Sequence, residues 1–214
     1  MLFSDIAALP IRAGAALRHR RLFHPVGVLA EGTLDRTAPP GEGLPLRSGD
    51  VVGRVSKGAG LPGDFPDIAG LAWRMSPQWD VLLASTTGAR LALAPVTKWT
   101  GASFSSLMPL QFEGGVWWLR ARLVTPIGAK GLALDTVREH IRSTGVDFDI
   151  EQAAGTGDFL PLARLTLRTL LPDRNEIAFD PTVHSDPAVR LLPGWLTNFR
   201  RAAYRRSRQG RDAE

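Results

Sequence analysis

The feature that most constrains the fold is a strict alternation of apolar and other side chains between glycine-rich breaks. In residues 116–124 every second position is apolar, as at Trp117, Leu119, Ala121 and Leu123. Successive side chains of a strand point to opposite faces, so this period of two predicts a strand with one buried face. The run Glu113-Gly114-Gly115 joins it to an apolar stretch at residues 107–112, which is typical of a β-hairpin.

Further strand-like runs occur along most of the chain. They lie at residues 23–34, 50–56, 68–75, 80–85, 146–152 and 163–171. Gly27 and Gly32 interrupt the first run, and a glycine inside a strand often marks a bulge, a barrel bend or the close approach of a ligand. Residues 89–99 fit neither the strand period of two residues nor a continuous helical period, because Pro95 interrupts an otherwise helix-like apolar run. Seven or eight strands in this arrangement predict an antiparallel β-barrel or a strongly curved sheet.

Helix-like segments flank this β-structure. Residues 134–143 have helical periodicity and are followed by Gly145, a residue type that commonly ends helices. Residues 3–20 predict an amphipathic helix interrupted by a proline, and a final helix is predicted from Trp195 to about Arg208. The predicted fold class is therefore α+β, an antiparallel barrel with flanking helices. A length of 214 residues with 44% hydrophobic side chains fits a single domain spanning 1–214.

Several functional classes are disfavoured by composition and motifs. Cysteine is absent, which excludes disulfides, iron–sulfur clusters and thiol nucleophiles. The sequence contains no His-Glu-x-x-His, Gly-x-Ser-x-Gly or phosphate-loop motif. No apolar run approaches the roughly 20 residues of a transmembrane helix. Because Asp5 comes early and the basic cluster late, the N-terminus does not resemble a secretory signal, and we expect a cytoplasmic protein.

The formal net charge of +5 is concentrated in two arginine-rich segments. One includes Arg18, Arg20 and Arg21, and the other has six arginines between Arg200 and Arg211, around the only tyrosine, Tyr204. On a helix, Arg200, Ser207 and Arg211 would share one face with Tyr204. A nearby cation favours the phenolate form of tyrosine, which is a ligand for ferric iron. The alternative is a solvated basic tail, because charge runs usually face solvent.

Three separated stretches carry residues at defined spacings. In the first, Arg21 stands three residues before His24, and Gly27 and Gly32 follow that histidine by three and eight residues. The second stretch consists of three short runs, Arg54-Val-Ser56-Lys, Asp67-Ile-Ala-Gly70-Leu-Ala and Trp79-Asp80-Val-Leu.

The third stretch joins Phe179-Asp-Pro181 to the pattern Arg200-x-x-x-Tyr204-x-x-Ser207-x-x-x-Arg211. In order and spacing, the three stretches together resemble the haem catalases and their relatives. The resemblance covers about residues 18–85 and 160–211, and no assignable motif lies between them. It implies a catalase-like barrel core and a C-terminal helix that carries the axial ligand of haem b.

The resemblance also implies a role for each matching residue. Tyr204 would be the proximal ligand of the haem iron, held as a phenolate by Arg200. His24 would act as the distal acid and base, oriented by a hydrogen bond from Ser56. The haem propionates would be neutralised by three arginines, namely Arg21, Arg54 and Arg211. Phe23 and Ser207 complete the predicted cofactor contacts.

The sequence departs from the family where catalases carry a distal asparagine. Ala84 and Ser85 occupy the corresponding positions, and the Ser85 hydroxyl is predicted to replace part of the missing hydrogen bonding. The implied activity is therefore that of a peroxidase-like oxidoreductase acting on hydrogen peroxide or organic hydroperoxides, with a small-molecule electron donor.

Other functions remain open at this point. One is a barrel that binds haem without catalysis, or one that has lost the cofactor. Another uses the basic helix to bind anionic lipid or nucleic acid, although no nucleic acid is expected under the main interpretation. A homo-oligomer is compatible with all of these interpretations.

Overall fold

The computed structural model describes residues 26–63, 65–76, 78–86, 92–128, 131–172 and 177–192. Within these ranges lie ten strands and one helix, α1 (Leu134–Ser143). The strands are β1 (Val26–Arg36), β2 (Gly49–Lys57), β3 (Ala69–Met75), β4 (Trp79–Ser85), β5 (Ser103–Ser105), β6 (Leu110–Phe112), β7 (Gly115–Leu123), β8 (Val146–Ala154), β9 (Leu160–Leu170) and β10 (Arg190–Leu191).

Eight of the strands form a closed antiparallel barrel. Their order around the barrel is β1, β2, β3, β4, β5, β7, β8 and β9, and β9 pairs with β1 to close it. Outside the ring, β6 pairs with β7 as a hairpin, and β10 pairs with β6. The predicted antiparallel barrel is confirmed. The predicted helices at residues 3–20 and from residue 195 lie outside the described residues, and the catalase-like identity of the barrel stays a prediction.

Alternate residues of the strands fill the barrel interior. The largest fully buried side chains there include Trp73, Phe104 and Phe148, and the two phenylalanine rings meet edge to face with centroids 6.0 Å apart. An eight-stranded barrel has an interior that side chains can fill completely. A planar cofactor would therefore have to lie against the outside of this barrel.

Two buried indoles differ in how their N–H groups are satisfied. Within the described residues, Trp73 Nε1 has no hydrogen-bond partner, although the residue is 0% exposed. Trp99 Nε1, on a residue that is 1% exposed, donates to the carbonyl of Ala133 at 3.1 Å. A buried donor without a partner has lost its hydration without compensation. The unpaired N–H group of Trp73 therefore lowers the stability of the folded chain.

Gly32 lies at a bulge between β1 and β9. Glu31 pairs with Thr169 and Gly32 with Leu167, which leaves Arg168 as an extra residue on β9. A Cβ atom on Gly32 would lie 1.8 Å from the carbonyl oxygen of Thr166. A bulge, one of the three features predicted for a glycine in this strand, is present, and the group that approaches Gly32 closely is the backbone of β9. The extra residue also shifts the alternation, so the inward and outward positions exchange beyond it.

The loop after β1 is organised by one arginine. All five N–H groups of the Arg36 guanidinium donate to backbone carbonyls, those of Ala38, Pro39, Glu42, Leu44 and Leu46. From β8, Gln152 Oε1 accepts a hydrogen bond from the Leu44 amide at 2.7 Å. Arginine has five donors in a rigid planar arrangement, and here each one finds an acceptor. The proline- and glycine-rich loop is thus held by side chains of the barrel.

Helix α1 has the bounds predicted from its periodicity. Its buried side chains, Val137 and Ile141, lie one turn apart, and the helix packs against β9. Gly145 ends it with φ +88°, and its amide donates to the His140 carbonyl at 2.8 Å. Of the ambiguous residues 89–99, those described are irregular, with isolated bridges at Leu93, Val96 and Lys98. Among the described residues, no helix has the length and apolar character needed to cross a bilayer.

Candidate functional site

Arg54 and Ser56 lie on the outward face of β2. Their neighbours Val55 and Lys57 alternate with them, and Val55 belongs to the apolar interior. Across the sheet, Ser56 faces Gly27 on β1 and Gly70 on β3, and the same register continues from Gly70 to Ala84 on β4. Four small residues on four adjacent strands therefore form one row.

A second row runs beside the first. Arg54 faces Leu29 on β1 and Ala72 on β3, and Ala72 in turn faces Leu82 on β4. We refer to the two rows together as the outer β1–β4 face, which consists of Gly27, Ser56, Gly70, Ala84, Leu29, Arg54, Ala72 and Leu82. Residues from separate motifs of the sequence thus come together on one surface. The face is built mainly from small side chains and carries one charged group, Arg54. Leu29, Ser56 and Ala84 on it are buried, with exposures of 7%, 5% and 8%.

Gly27 determines how Arg54 can lie on this face. A Cβ atom on Gly27 would lie 2.7 Å from Arg54 Nε and 2.8 Å from the Val55 carbonyl oxygen. Both distances are shorter than any ordinary contact of a methyl group. The absence of a side chain at Gly27 therefore allows the guanidinium of Arg54 to lie across β1.

Ser56 is 5% exposed, and its hydroxyl lies 3.5 Å from the Gly70 carbonyl oxygen. That separation is at the long limit of a hydrogen bond, so this contact is weak.

Ser85 lies on the other side of β4. It alternates with the outward Ala84 and pairs with the interior residue Phe104. Its hydroxyl accepts from the Ala69 amide at 3.0 Å and donates to the Ala94 carbonyl at 2.6 Å. The structure therefore brings Arg54 and Ser56 together and leaves Ser85 apart from them. The residues that join their face from β4 are Ala84 and Leu82, and neither side chain carries a polar group.

The other predicted site residues are not on the described part of the chain. Residues 1–25 and 193–214 lie outside the described residues, and these ranges include His24, Arg21, Phe23, Arg200, Tyr204, Ser207 and Arg211. Among the residues that the structure does describe, no three His, Asp or Glu side chains are arranged to hold a metal ion.

A buried ion pair that sequence reasoning did not identify lies on β3 and β4. Asp80 is fully buried, and Arg74 donates to its two carboxylate oxygens from Nε at 2.6 Å and from Nη2 at 2.7 Å. The hydrogen bond to Asp80 raises the pKa of Arg74, outweighing the effect of partial burial, so the guanidinium stays charged. Such bidentate pairing fixes both side chains in one geometry.

The same carboxylate fastens residues 177–192 to the barrel. Asp80 Oδ2 accepts from the Asp180 amide at 2.6 Å, and the Asp80 amide donates to the His184 carbonyl at 2.9 Å. Arg74 Nη2 also donates to the Ala178 carbonyl at 2.8 Å. The segment is therefore held to β3 and β4 at three successive points.

The hydrogen bonds also determine the tautomer of His184. Its Nδ1 lies 2.9 Å from Arg74 Nη2 and 3.0 Å from Asp80 Oδ2. The two hydrogens of that Nη2 are already directed to Asp80 and to the Ala178 carbonyl. The histidine therefore carries its proton on Nδ1 and donates it to Asp80. His184 matches no motif, so only the fold could reveal this contact.

Charge is distributed unevenly along the chain. Acidic side chains outnumber basic ones among the described residues, whereas the whole chain has a formal charge of +5. The positive excess thus comes from the remaining residues, which include both arginine-rich segments. No protein-family model matches this chain, and a search of curated proteins finds no significant match.

Proposed function

We propose that the chain binds haem b against the outer β1–β4 face and acts as a peroxidase-type oxidoreductase on hydrogen peroxide or organic hydroperoxides. The observation that supports this most is the register of β2, β3 and β4. It gathers Arg54, Ser56, Gly70 and Ala72, which come from two separate catalase-like runs, onto one surface.

The chemistry of this face fits a planar cofactor with carboxylate groups. Glycine and alanine side chains allow a flat ring to approach the strands closely, and Leu29 and Leu82 add apolar contact. Arg54 supplies a guanidinium that can pair with a propionate in a bidentate manner. Gly27 keeps that guanidinium close to the sheet, because any side chain there would displace it.

The chain's own residues would act on the two sides of the cofactor, with proton transfer on one side and iron ligation on the other. Bound haem iron would supply the redox chemistry for cleavage of an O–O bond. His24 would take a proton from one peroxide oxygen and return it to the other, and Ser56 would orient its imidazole. Arg200 would hold Tyr204 as a phenolate, the ligand form of the side chain.

The character of β4 favours a peroxidase over a rapid catalase. Ala84 stands on the face where a distal amide would be needed, and the hydroxyl of Ser85 is bound to two backbone groups. With fewer polar groups to orient a second hydrogen peroxide molecule, disproportionation is expected to be slow. The same observation favours the second candidate, a barrel that binds haem without turnover.

The test is purification of the full chain with added haemin, followed by an absorption spectrum. We expect a Soret band at one haem per chain, which is lost or shifted in Tyr204→Phe. Ala72→Phe places a bulky ring on the proposed floor and should reduce haem binding. Thr33→Phe is the matched control, because Thr33 is also a half-buried residue on the outside of the barrel, on a different part of the surface.

Failure of the unsubstituted chain to bind haem would refute the proposal. Equal binding by Ala72→Phe and Thr33→Phe would place any haem elsewhere. For catalysis, His24→Ala is expected to retain haem and lose peroxide turnover. If the unsubstituted chain binds haem and turns over no peroxide, the non-catalytic candidate is correct.

A further inference from the structure

A cavity of about 230 Å³ lies between the loop that follows β1 and the turn of the β6–β7 hairpin. We call it the loop cavity. Its lining combines two apolar side chains, Leu46 and Phe112, with two cations, Arg36 and Arg47, and one anion, Glu113. Pockets for drug-sized ligands measure about 300–1,000 Å³, so an occupant of the loop cavity would be a smaller molecule.

Both walls of the loop cavity are held in place by the fold. On one wall, the Arg36 guanidinium is bonded to five backbone carbonyls of the loop, and its amide donates to Ser48 Oγ at 2.9 Å. Gln152 Nε2 adds a hydrogen bond to the Glu42 carbonyl at 3.3 Å. On the other wall, Phe112 packs against the apolar core. A ligand would therefore enter a preformed site and would not have to order the loop.

The charges that line the loop cavity are not neutralised by other side chains. Arg47 and Glu113 are both exposed, and neither has a hydrogen-bond or ion-pair partner among the described residues. They line the same cavity without pairing with each other. Arg36 has no carboxylate partner within the described ranges either, because its donors all go to carbonyls. Two cations and one anion thus remain available to a ligand.

Glu113 occupies a backbone position that suits other residue types better. Its φ is +47° and that of Gly114 is +76°, and these two residues form the turn between the paired Phe112 and Gly115. A two-residue hairpin turn with positive φ at both positions prefers asparagine, aspartate or glycine at the first one. Strain of this kind is found mainly at functional sites, where a particular side chain is needed. Here the strained residue places a carboxylate at the loop cavity.

We propose that the loop cavity binds a small apolar α-amino acid as its zwitterion. Arg47 pairs with the ligand carboxylate, Glu113 pairs with the ligand ammonium, and Leu46 and Phe112 contact the apolar side chain. A simple carboxylate would leave Glu113 unpaired, and a simple amine would leave the cations unpaired. The loop cavity lies where β1 finishes and β2 begins, whereas Gly27 and Ser56 lie at the other ends of these strands, so the proposal is independent of haem binding.

Titration of the ¹⁵N-labelled full chain with L-leucine, followed by amide chemical shifts, tests the proposal. We expect shifts at residues 41–47 and 112–114 with a dissociation constant of about 1 mM, as suits so small a ligand. Two matched probes each lack one charge: 4-methylpentanoate has no ammonium and 3-methylbutylamine has no carboxylate. Each should bind at least about threefold more weakly than L-leucine, because it loses one charge pair.

Substitutions of the two charged residues test their assigned contacts. Arg47→Gln and Glu113→Gln should each weaken L-leucine binding about three- to tenfold, since each removes one partly exposed charge pair. Glu139→Gln is the matched control, because Glu139 is an exposed glutamate on α1 and does not line the loop cavity. It should leave the affinity within about twofold of that of the unsubstituted chain.

Glu113→Asn separates binding from stability. Asparagine adopts positive φ more readily than glutamate, so this variant should raise the midpoint of urea unfolding by about 0.2–0.5 M while it weakens L-leucine binding. A lower midpoint would show that the glutamate stabilises the turn, and the proposal would then be wrong.

Four further results would overturn the proposal. The first is the absence of shifts at the loop cavity with L-leucine up to about 20 mM. The second is equal affinity for 4-methylpentanoate, which would indicate a site for anions in general. The third is equal affinity for 3-methylbutylamine, which would indicate a site for amines. The fourth is equal affinity of Glu113→Gln and Glu139→Gln for L-leucine. Amide spectra that are unchanged away from the substituted residue confirm that each variant is folded.

Discussion

Replacing Asp80 with asparagine tests the buried ion pair that joins β3, β4 and residues 177–192. Asp80 Oδ1 accepts one hydrogen bond, from Arg74 Nε, whereas Oδ2 accepts from Arg74 Nη2, the Asp180 amide and His184 Nδ1. An asparagine amide group would meet a donor in either orientation. Its better orientation directs the NH₂ group at Arg74 Nε, which leaves two donors opposed and the guanidinium without its counter-charge.

The cost should be large because the carboxylate is fully buried. Removing one partner of a buried pair costs about 3–5 kcal/mol. The matched control is Asp149→Asn, whose pair with Arg164 has a similar length, 2.7 Å, but side chains that are 38% and 42% exposed. Exposed pairs contribute about 0.2–1 kcal/mol. The two substitutions thus make the same chemical change in different surroundings.

Urea unfolding followed by tryptophan fluorescence measures the difference. With a slope of about 2 kcal/mol per molar urea, Asp80→Asn should lower the midpoint by about 1.5–2.5 M, and Asp149→Asn by less than about 0.5 M. Combining Asp80→Asn with Arg74→Met should recover part of the loss, because the uncompensated guanidinium is removed. Equal midpoints for the two asparagine variants would refute the assignment of Asp80 as the main anchor.

The pH dependence of this pair can be predicted from Arg74. Its pKa is raised in the folded state by the hydrogen bond to Asp80. A group with a raised folded-state pKa stabilises the fold fully below its unfolded pKa and ceases to do so only as pH rises through the folded value. Both values are strongly alkaline, so the contribution of the Arg74 charge should be constant between about pH 6 and pH 9. Repeating the urea titration across that range checks this expectation.

Three further tests, with five substitutions, concern other features of the fold. Gly32→Ala should destabilise the chain by at least about 3 kcal/mol, since its Cβ would overlap a carbonyl on β9. Its control, Gly41→Ala, should cost about 1 kcal/mol, because Gly41 has φ +78° but no neighbour within 4 Å. The midpoints of urea unfolding compare the two variants. Trp73→Phe should cost about 1–2 kcal/mol less than Trp99→Phe, because only the latter loses a hydrogen bond, and equal costs would contradict the unpaired state of the Trp73 indole. Arg36→Lys replaces five fixed donors by three, so amide exchange in residues 37–48 should accelerate, and unchanged protection would refute the role of Arg36.

Much of the barrel could be predicted from local pattern. The runs at residues 50–56, 68–75 and 80–85 correspond to β2, β3 and β4 within one residue at each end, because each has a β-propensity signal and clear breaks. The three-residue strand β5 was not predicted, since so short a run carries no periodicity. The alternation in β9 breaks at Arg168, where the bulge opposite Gly32 inserts an extra residue. Only the partner strand determines where that insertion lies.

Less of the candidate site could be predicted from the sequence. Arg54 and Ser56 were singled out by the resemblance of their run to a catalase motif, and the structure shows that both fall on one side of β2. The role of Gly27 depends on where the Arg54 side chain lies, which is a property of the register between β1 and β2. His184 gave no signal at all, since its partner Asp80 is more than a hundred residues away. Contacts of that kind depend on the topology of the fold and cannot be predicted from the local sequence.

Closure of the barrel through β1 and β9 has a consequence for synthesis of the chain. Ala30 on the first strand pairs with Leu170 on the last strand of the ring, so the ribosome must complete most of the protein before this seam can form. Until then the free side of β1 offers unpaired backbone groups to other nascent chains. Pairing of such distant segments also slows folding. We therefore expect aggregation during expression to originate at the free edge of β1, and expression at lower temperature or with chaperones to protect that edge until the ring closes.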